Sequence, residues 1–430
     1  DNLSLYGDIY RVDPSTQRLS FVSSRFLTSY TDTLQSISHI FEWTPPDYNT
    51  TTNLVYPYTH HRYIVHGTLS TSVNWFLLVN IDVSNNYTVS VVSNIGDGGL
   101  VEYLEEFNNP TVLDSVVDGQ GKYWLTGEHG SDSDTNKKGW TSRLIGQGET
   151  HLPRRQLRIY AGTADPYWNL GRPFDTNTYI KKIHSLELPT YNPPANYIII
   201  LGTDLTQPTS SINRDCIRIV HSHSYKPQFT SVLVSGVITN SVVHVLNEDS
   251  SLLYLTGIKN SQVWIAKYKI NHLDQSITLD GLDKTYNLSI NKEIATSIVC
   301  TTLTGTTQIN RILVTGNIES GQRKDPFILV VDRDGTLDSS FHYNGILYPK
   351  WNEHLTDPLN PSNPDYKGCD INKIITTDNS IRLVGSYHDM GTVADSIYGP
   401  LIVEFDIQGI LSQHFGNFGK LDGISIRNRI

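Results

Sequence analysis

The sequence has few cysteine, methionine and basic residues. Its cysteines are Cys216, Cys300 and Cys369, and its single methionine is Met390. Three scattered cysteines form neither a disulfide framework nor a CxxC metal motif. Lysine and arginine total 33 against 43 acidic residues, for a net charge of −10, so the chain lacks the positive face of a nucleic-acid-binding protein. No apolar run is long enough for a membrane-spanning helix, and no membrane insertion is expected.

Common catalytic signatures are also missing. The sequence contains no HExxH, GxSxG or Walker A motif, and no GxGxxG follows a strand. We therefore predict no catalytic residue, no metal site and no cofactor. The chain starts at Asp1 rather than at methionine, which we interpret as a processed or partial N-terminus. Its 38% hydrophobic content is sufficient for a folded core and excludes a disordered chain.

A short apolar segment that ends in glycine recurs six times, at intervals of 55 to 75 residues. Each segment holds three to five apolar or aromatic residues, which is typical of a strand buried on both faces. We attribute the glycine to inner strands that converge on an axis and leave no room for a Cβ atom. The recurrence predicts a repeat architecture. The segments end at Gly67, Gly127, Gly202, Gly257, Gly316 and Gly385.

Each glycine segment is flanked by further strand patterns. Upstream partners occur, for example, at 111–117 and 295–302, and a downstream strand occurs at 263–270. A fourth strand with Phe and Gly is predicted at 336–345 and again at 410–419. Four strands in about 60 residues is the period of a propeller blade, and no helical periodicity competes with it. The predicted fold is therefore all-β and a β-propeller.

The two ends of the sequence complete the repeat. Residues 8–22 match the third and fourth strands of a unit, and 423–430 match a first strand. Both ends would then share one composite blade, which closes the ring and removes exposed sheet edges. We favour a single propeller of seven blades over 1–430; the alternative is six, if the terminal pieces lie outside the ring. The remaining predicted blades are 36–103, 111–174, 179–236, 241–290, 295–346 and 371–422.

FILVVDRDGTLDSSFHYNG at 327–345 and LIVEFDIQGILSQHFGNFG at 401–419 resemble delta-60 repeats. That family repeats an apolar strand, an Asp-x-x-Gly turn and a small-residue strand that closes in Phe-Gly. The resemblance is clearest over 311–345 and 380–419 and is weak over 128–236. It implies a β-propeller of a kind found mostly in large surface or secreted bacterial proteins of unassigned function. It implies no particular activity.

An aspartate begins the predicted turn between the third and fourth strands, at Asp13, Asp82, Asp332 and Asp406. One interpretation is a Ca²⁺ site, especially where Asp334 adds a second carboxylate to Asp332. The other is an Asx turn, in which the side chain caps the backbone. Recurrence from blade to blade favours the turn.

Two histidine pairs are candidate metal ligands. His221 and His223 alternate by two, so on a regular strand they face the same side and could begin a zinc or nickel site. No third ligand follows at matching parity. His60 and His61 face opposite sides of a strand. Surface histidines are the favoured interpretation of both pairs.

Aromatic residues are abundant, with 24 Tyr, 12 Phe and 7 Trp. Trp124, Trp264 and Phe327 lie within apolar strand patterns, so they are predicted to be in the core. Tyrosine and tryptophan in irregular segments are better suited to binding, since they stack on sugar rings or on a protein partner while keeping a polar group. Such segments therefore hold the candidate binding residues.

Long connections on a rigid scaffold usually carry binding. In an antiparallel blade the connections alternate between two ends, and one end collects 346–370 and 386–400, with 128–139 and 203–214. On these loops the candidate binding residues are Trp351, His354, Tyr366, Tyr387, His388 and Tyr398.

The predicted function is a non-enzymatic binding or assembly module, placed outside the cytoplasm on a cell surface or a virion. It would contact a protein or glycan partner through one loop face and could belong to a larger assembly. The alternative is a glycan-acting hydrolase or lyase, because hydrolysis needs two carboxylates and Asp357, Asp365 and Asp389 share the predicted loop face. Sialidase-type Asp boxes are not seen; SDTNKKGWTS at 133–142 has the wrong spacing.

Overall fold

The chain folds into β-strands and turns, without a helix, wherever the structure describes it. It divides into two compact units, residues 1–11 with 20–233 and residues 12–19 with 234–430. No helix among the described residues is long and apolar enough to cross a bilayer. The computed structural model describes residues 4–12, 19–29, 34–42, 48–49, 54–55, 60–69, 74–82, 88–91, 100–103, 111–117, 123–129, 138–144, 178–188, 195–204, 214–221, 227–232, 236–247, 250–271, 276–289, 291–302, 309–320, 323–342, 344–349, 366–377, 379–390, 396–412 and 420–422.

The first unit is built from antiparallel sheets. Its strands are β1 Ser4–Val12, β2 Leu19–Ser29, β3 Leu34–Glu42, β4 Tyr48–Asn49, β5 Leu54–Val55, β6 His60–Leu69, β7 Asn74–Asp82, β8 Thr88–Val91, β9 Leu100–Tyr103, β10 Thr111–Val117, β11 Tyr123–His129, β12 Lys138–Leu144, β13 Thr178–Leu188, β14 Ala195–Asp204, β15 Arg214–His221 and β16 Pro227–Val232. The first of three larger sheets has the order β3-β6-β7-β8, and β9 also pairs with β7. The other two have the orders β10-β11-β12 and β13-β14-β15-β16, and β1-β2 and β4-β5 form two-stranded pairs.

The second unit repeats the same arrangement. Its strands are β17 Val237–Asn247, β18 Ser250–Lys259, β19 Gln262–Asn271, β20 Ser276–Tyr286, β21 Lys292–Thr302, β22 Ile309–Ser320, β23 Arg323–Val331, β24 Ile346–Leu347, β25 Tyr366–Thr376, β26 Ser380–Met390, β27 Ser396–Asp406 and β28 Lys420–Asp422. One sheet has the order β17-β18-β19-β20. The strands β21-β22-β23-β25-β26-β27-β28 form a second hydrogen-bonded sheet, with β24 beside β23; its two halves, β21-β22-β23 and β25-β26-β27-β28, are each called a sheet below. One parallel pairing, Lys324 with Gly368, joins β23 to β25.

The six predicted glycine segments are all strands, and each is the second strand of its sheet. Each lies between two hydrogen-bonded neighbours, as the flanking strand patterns predicted; the convergence of these strands on an axis stays a prediction. The glycine is required by a bulge in the preceding strand: it pairs with the residue just before the bulge in all six sheets. A Cβ atom on Gly257, Gly316 or Gly385 would overlap the carbonyl oxygen of Ile238, Ile294 or Asp370.

Large side chains lie opposite these glycines on the third strand of the sheet. Gly257 pairs with Trp264 and Gly316 with Phe327. Both partners are fully buried, and Trp124 is also buried, which confirms the predicted core. The threonine before the glycine adds a buried hydrogen bond: the Thr256 hydroxyl donates to the Trp264 carbonyl at 2.9 Å. Thr315 donates to Phe327 in the same way.

Within the second unit, neighbouring sheets are joined through the bulge. Asn240, the extra residue of the β17 bulge, donates from its amide to the Ala295 carbonyl at 2.7 Å. Thr296, in the same place on β21, donates from its hydroxyl to the Ile371 carbonyl at 2.7 Å. Apolar side chains fill the space between the sheets, and Val243 and Val299 border the two clusters. Each interface therefore repeats the same polar and apolar contacts.

The predicted Asx turn is confirmed at two positions. The Asp332 carboxylate accepts hydrogen bonds from the backbone N–H of Asp334 and Thr336, at 2.9 and 2.8 Å. Asp406 accepts equivalent bonds from Gln408 and Ile410, at 3.0 and 2.8 Å. The glycine at the end of each turn has a positive φ, which a residue with a side chain adopts only at a cost. Asp13 lies outside the described residues.

The predicted fourth strand at 336–345 is wrong, and that at 410–419 lies outside the described residues beyond Ser412. Val331 forms only an isolated bridge with Leu337, and Phe405 forms one with Leu411. After the first bridge the chain turns, Phe341 is fully buried, and the chain pairs with β23 again at the two-residue strand β24. Residues 413–419 and 423–430 lie outside the described residues, so the composite blade and the closed ring stay predictions.

Candidate functional site

The last sheet extends beyond the others at one end. β6, β11, β14 and β18 each end two residues after their glycine and β22 ends four residues after Gly316, whereas β26 continues for five residues after Gly385. Residues 386–390 pair with 396–400 of β27, and β25 reaches the same level. We call residues 366–369, 386–390 and 396–399 the three-stranded extension. At about 3.3 Å per residue, the five residues of β26 after Gly385 span roughly 16 Å.

Four of the predicted binding residues belong to this extension. Tyr366, Tyr387, His388 and Tyr398 were expected in irregular loops, and that expectation is wrong, because all four lie in β25, β26 or β27. Of the loop predicted at 386–400, residues 386–390 and 396–400 are strand, and 391–395 lie outside the described residues. The structure therefore brings these positions together on strands. Trp351 and His354 lie outside the described residues, as do the candidate acids Asp357 and Asp365.

The strand register arranges the extension in three rows. Tyr387 lies between Cys369 and Gly399, and the next row places His388 between Gly368 and Tyr398. The third row places Asp389 between Tyr366 and Ile397.

Successive rows of a sheet belong to opposite faces. The positions of Tyr387, Asp389 and Tyr366 therefore share one face, and those of His388 and Tyr398 share the other. A glycine stands beside Tyr387 and another beside His388, so each of these two positions has one neighbour without a side chain.

Ion pairs anchor the base of the extension to the preceding sheet. Lys324 forms the parallel pairing with Gly368, and its Nζ is 2.8 Å from the Asp370 carboxylate. The same Nζ lies 4.0 Å from Glu319, which also binds Lys292 at 2.8 Å. Both lysine charges in this group are thus neutralised by carboxylates, and the extension is held against a folded neighbour.

Several other carboxylates of the second unit are committed to structure. Glu293 is fully buried and accepts hydrogen bonds from the backbone N–H of Val263 at 3.0 Å, Ser289 at 2.6 Å and Leu288 at 2.5 Å. It therefore fastens the β20–β21 connection to the preceding sheet. Asp283 accepts from the Trp264 indole at 2.6 Å and pairs with Lys259 at 3.1 Å. Arg382 pairs with nearly buried Glu404 at 2.6 Å.

Asp338 forms a further junction between repeats. Burial alone would raise the pKa of this carboxyl, but hydrogen bonds from Ser340 and the charge and hydrogen bond of Arg311 outweigh it, so that the pKa is lowered. Arg311 Nε lies 2.6 Å from the carboxylate, and its guanidinium also donates to Ser340 and to the Ile407 carbonyl. Both oxygens of this carboxylate are thus engaged, Oδ1 by Ser340 and Oδ2 by Arg311.

No metal site is formed within the residues that the structure describes: no three His, Cys, Asp or Glu side chains gather there. His221 is the last residue of β15, and His223 lies outside the described residues. His60 and His61 lie in β6, opposite Asp82 and Ile81.

Sequence reasoning missed the anchor residues Lys324 and Asp370 and the glycines Gly368 and Gly399. The lysine and the aspartate are distant in sequence, and only the pairing of β23 with β25 brings them together. The sequence does hold a signal for the two glycines, because each is within two residues of a tyrosine predicted to bind a partner. A glycine near a tyrosine is, however, equally typical of a turn.

Similarity to known proteins is remote. No protein-family model matches the chain, and no curated protein matches it at a significant level. Among solved structures, the chain is similar to a GH43 β-1,3-galactosidase, with 10% sequence identity over 83% of this chain and 74% of that chain and a TM-score of 0.33. A likeness this weak carries no argument about function.

Proposed function

We propose that the sheets continue around a closed β-propeller, with seven blades favoured over six. The support comes from the last described sheet. Asn372 occupies the bulge position at which Asn240 and Thr296 bind the next sheet, and Asn372 is exposed. Ile375 is 45% exposed, although the matching Val299 packs against the next sheet's cluster. Asn372 and Ile375 thus occupy positions that contact the next sheet elsewhere in the second unit, and both are exposed for contact with one further sheet.

On this scaffold we propose a non-enzymatic module for binding or assembly, which works outside the cytoplasm on a cell surface or a virion. The three-stranded extension carries this proposal. It collects three tyrosines and a histidine at one strand end, is anchored by the Lys324–Asp370 ion pair, and lies on a sheet with a buried core. Rigid aromatic residues give contact area with little loss of conformational entropy on binding. A protein or a glycan is the expected partner.

The experiment that tests the proposed function compares binding with hydrolysis. The purified chain is offered to an immobilised glycan array and, separately, incubated with soluble polysaccharides while released reducing ends are measured. The proposal expects retention on the array or on a partner protein, and no reducing ends. Hydrolysis that is lost in Asp389→Asn would overturn it in favour of a glycan-acting enzyme, because a carboxylate of the extension would then be catalytic.

A further inference from the structure

We propose that Asn287 carries an N-linked glycan, on the connection between β20 and β21. Asn287, Leu288 and Ser289 match the Asn-x-Ser/Thr acceptor sequence of that modification, in which the middle residue is not proline. The inference rests on the proposed location outside the cytoplasm, because N-linked glycans are added to exported chains. It goes beyond the proposed binding role, which requires no glycan.

The acceptor sequence also occurs at Asn2, Asn49 and Asn86. Asn2 and Asn86 lie outside the described residues, and Asn49 pairs with Leu54 in the short strand β4. Asn287 is therefore the acceptor whose surroundings can be argued from the structure.

The Asn287 side chain is exposed, and it directly follows Tyr286, the last residue of β20. Asn240 and Asn317, by contrast, use their amides to join neighbouring sheets. Within the part of the chain that the structure describes, the Asn287 amide forms no hydrogen bond. An amide that is exposed and not engaged can carry a bulky, solvated substituent without the loss of a contact.

The connection around Asn287 is held in place by its neighbours. The backbone N–H groups of Leu288 and Ser289 donate to the buried Glu293 carboxylate, at 2.5 and 2.6 Å. The Leu288 side chain is partly buried against the core cluster between the sheets. These contacts fix the connection without Asn287, so a glycan there leaves the fold of the connection intact.

An exposed aromatic side chain lies next to the acceptor sequence. Tyr348 is 41% exposed, and its hydroxyl donates to the Leu288 carbonyl at 2.9 Å. An aromatic ring offers an apolar face on which the C–H groups of a sugar pack. We therefore expect the innermost sugar to contact Tyr348 and to stabilise the folded chain.

Ser289 supplies the hydroxyl of the acceptor sequence. In the folded chain this hydroxyl accepts from the Asn291 N–H at 3.0 Å and donates to the Asn291 carbonyl at 3.3 Å. Because the hydroxyl is engaged in this way, transfer takes place before the connection folds. The Asn287 amide nitrogen bonds to the first sugar carbon of a lipid-linked oligosaccharide. The bond from that carbon to the lipid pyrophosphate breaks, and the amide loses one proton.

The test maps the modification on the full chain, secreted from eukaryotic cells behind a cleaved signal peptide. Trypsin cuts after Lys284 and Lys292, so Asn287 falls in the peptide TYNLSINK, 285–292, which holds no other acceptor sequence. Release of the glycan by a peptide N-glycosidase in heavy-oxygen water leaves a labelled aspartate at position 287. We expect the label on most of this peptide and none after Asn287→Gln or Ser289→Ala.

Asn291→Gln is the matched control, because Asn291 is also exposed but belongs to no acceptor sequence; the label at position 287 should remain. Enzymatic removal of the glycan should lower the Tm of the wild type more than that of Tyr348→Ala, and equal shifts would overturn the contact with Tyr348.

An unmodified 285–292 peptide in a secreted chain that circular dichroism shows to be folded would overturn the glycosylation site, as would a label that persists in Ser289→Ala. Unglycosylated chain made in bacteria tests the proposed function separately on the glycan array and on partner proteins. If that chain binds while 285–292 is unmodified, the glycosylation inference fails and the proposed module stands.

Discussion

Replacing Gly316 with alanine tests the glycine–bulge arrangement, which recurs in all six sheets. The added Cβ atom would overlap the Ile294 carbonyl oxygen and lie 2.8 Å from Ala295 Cα. The obstructing atoms belong to backbone, so no flexible side chain can move away, and β21 must separate from β22 at the bulge. Overpacking costs about 1–3 kcal/mol and each broken hydrogen bond about 1 kcal/mol. We therefore expect Gly316→Ala to destabilise the second unit by about 3 kcal/mol or more.

The matched control is Gly281→Ala. Gly281 has a φ of +74° but nothing within 4 Å of its added Cβ atom, so the substitution costs only the left-handed conformation, about 1–2 kcal/mol. Urea denaturation measures both variants, and hydrogen exchange of peptides from β21 and β22 assigns the loss to the correct sheet. If Gly316→Ala unfolded at the same urea concentration as the wild type, or was less damaging than Gly281→Ala, the steric reasoning would be refuted.

Three further substitutions test the turns, the Asp338 junction and the open face of the last sheet. Asp406→Ala removes two hydrogen bonds between the carboxylate and backbone N–H groups of the turn, and urea denaturation should show a loss of about 1–2 kcal/mol in the free energy of unfolding. Gln408 is exposed, so Gln408→Ala should change that free energy by no more than about 0.5 kcal/mol. Equal effects of the two substitutions would contradict the Asx-turn role of Asp406. Asp338→Asn should lower the free energy of unfolding at neutral pH. The loss relative to the wild type should shrink as pH falls below the ordinary carboxyl value of 3.8, because a carboxyl with a lowered pKa in the folded state contributes stability above its unfolded pKa and loses it as pH falls through its folded pKa. A loss of stability that does not change with pH would exclude this linkage. Ile375→Asp should destabilise a closed ring by about 2 kcal/mol, since it would bury a charge between two sheets. The control Leu279→Asp, at the same 45% exposure on β20, should leave stability nearly unchanged. Similar small effects for both substitutions would show that no sheet covers Ile375.

The second strands and the core could be predicted from the sequence because their signals are local. Apolar runs such as those before Gly257 and Gly316 are long enough to specify buried strands, and Trp264 and Phe327 stand within equally apolar runs. The reason for the glycine could not be predicted, since the bulge lies in the partner strand and depends on pairing. Contacts distant in sequence, such as Asn240 with Ala295, were invisible for the same reason.

The two errors have a common physical origin. Residues 336–345 alternate like a strand, but the Asp332 turn and burial of Phe341 divert the chain after one bridge. The stretch around Tyr387 and Tyr398 is rich in glycine and polar residues, so its sequence indicates a loop. Pairing with β25, which is itself joined to β23 by Lys324 and Gly368, makes it a strand instead. Tertiary pairing overrides weak local preference in both places.

Small-angle X-ray scattering of the purified chain tests the closed ring most directly. A single compact particle of this length has a radius of gyration of about 22 Å, and the account predicts that value with a single-peaked distance distribution. A radius well above this, with a second maximum in the distance distribution, would mean that the two units are separate bodies, and would contradict a ring in which every sheet has a neighbour on both sides.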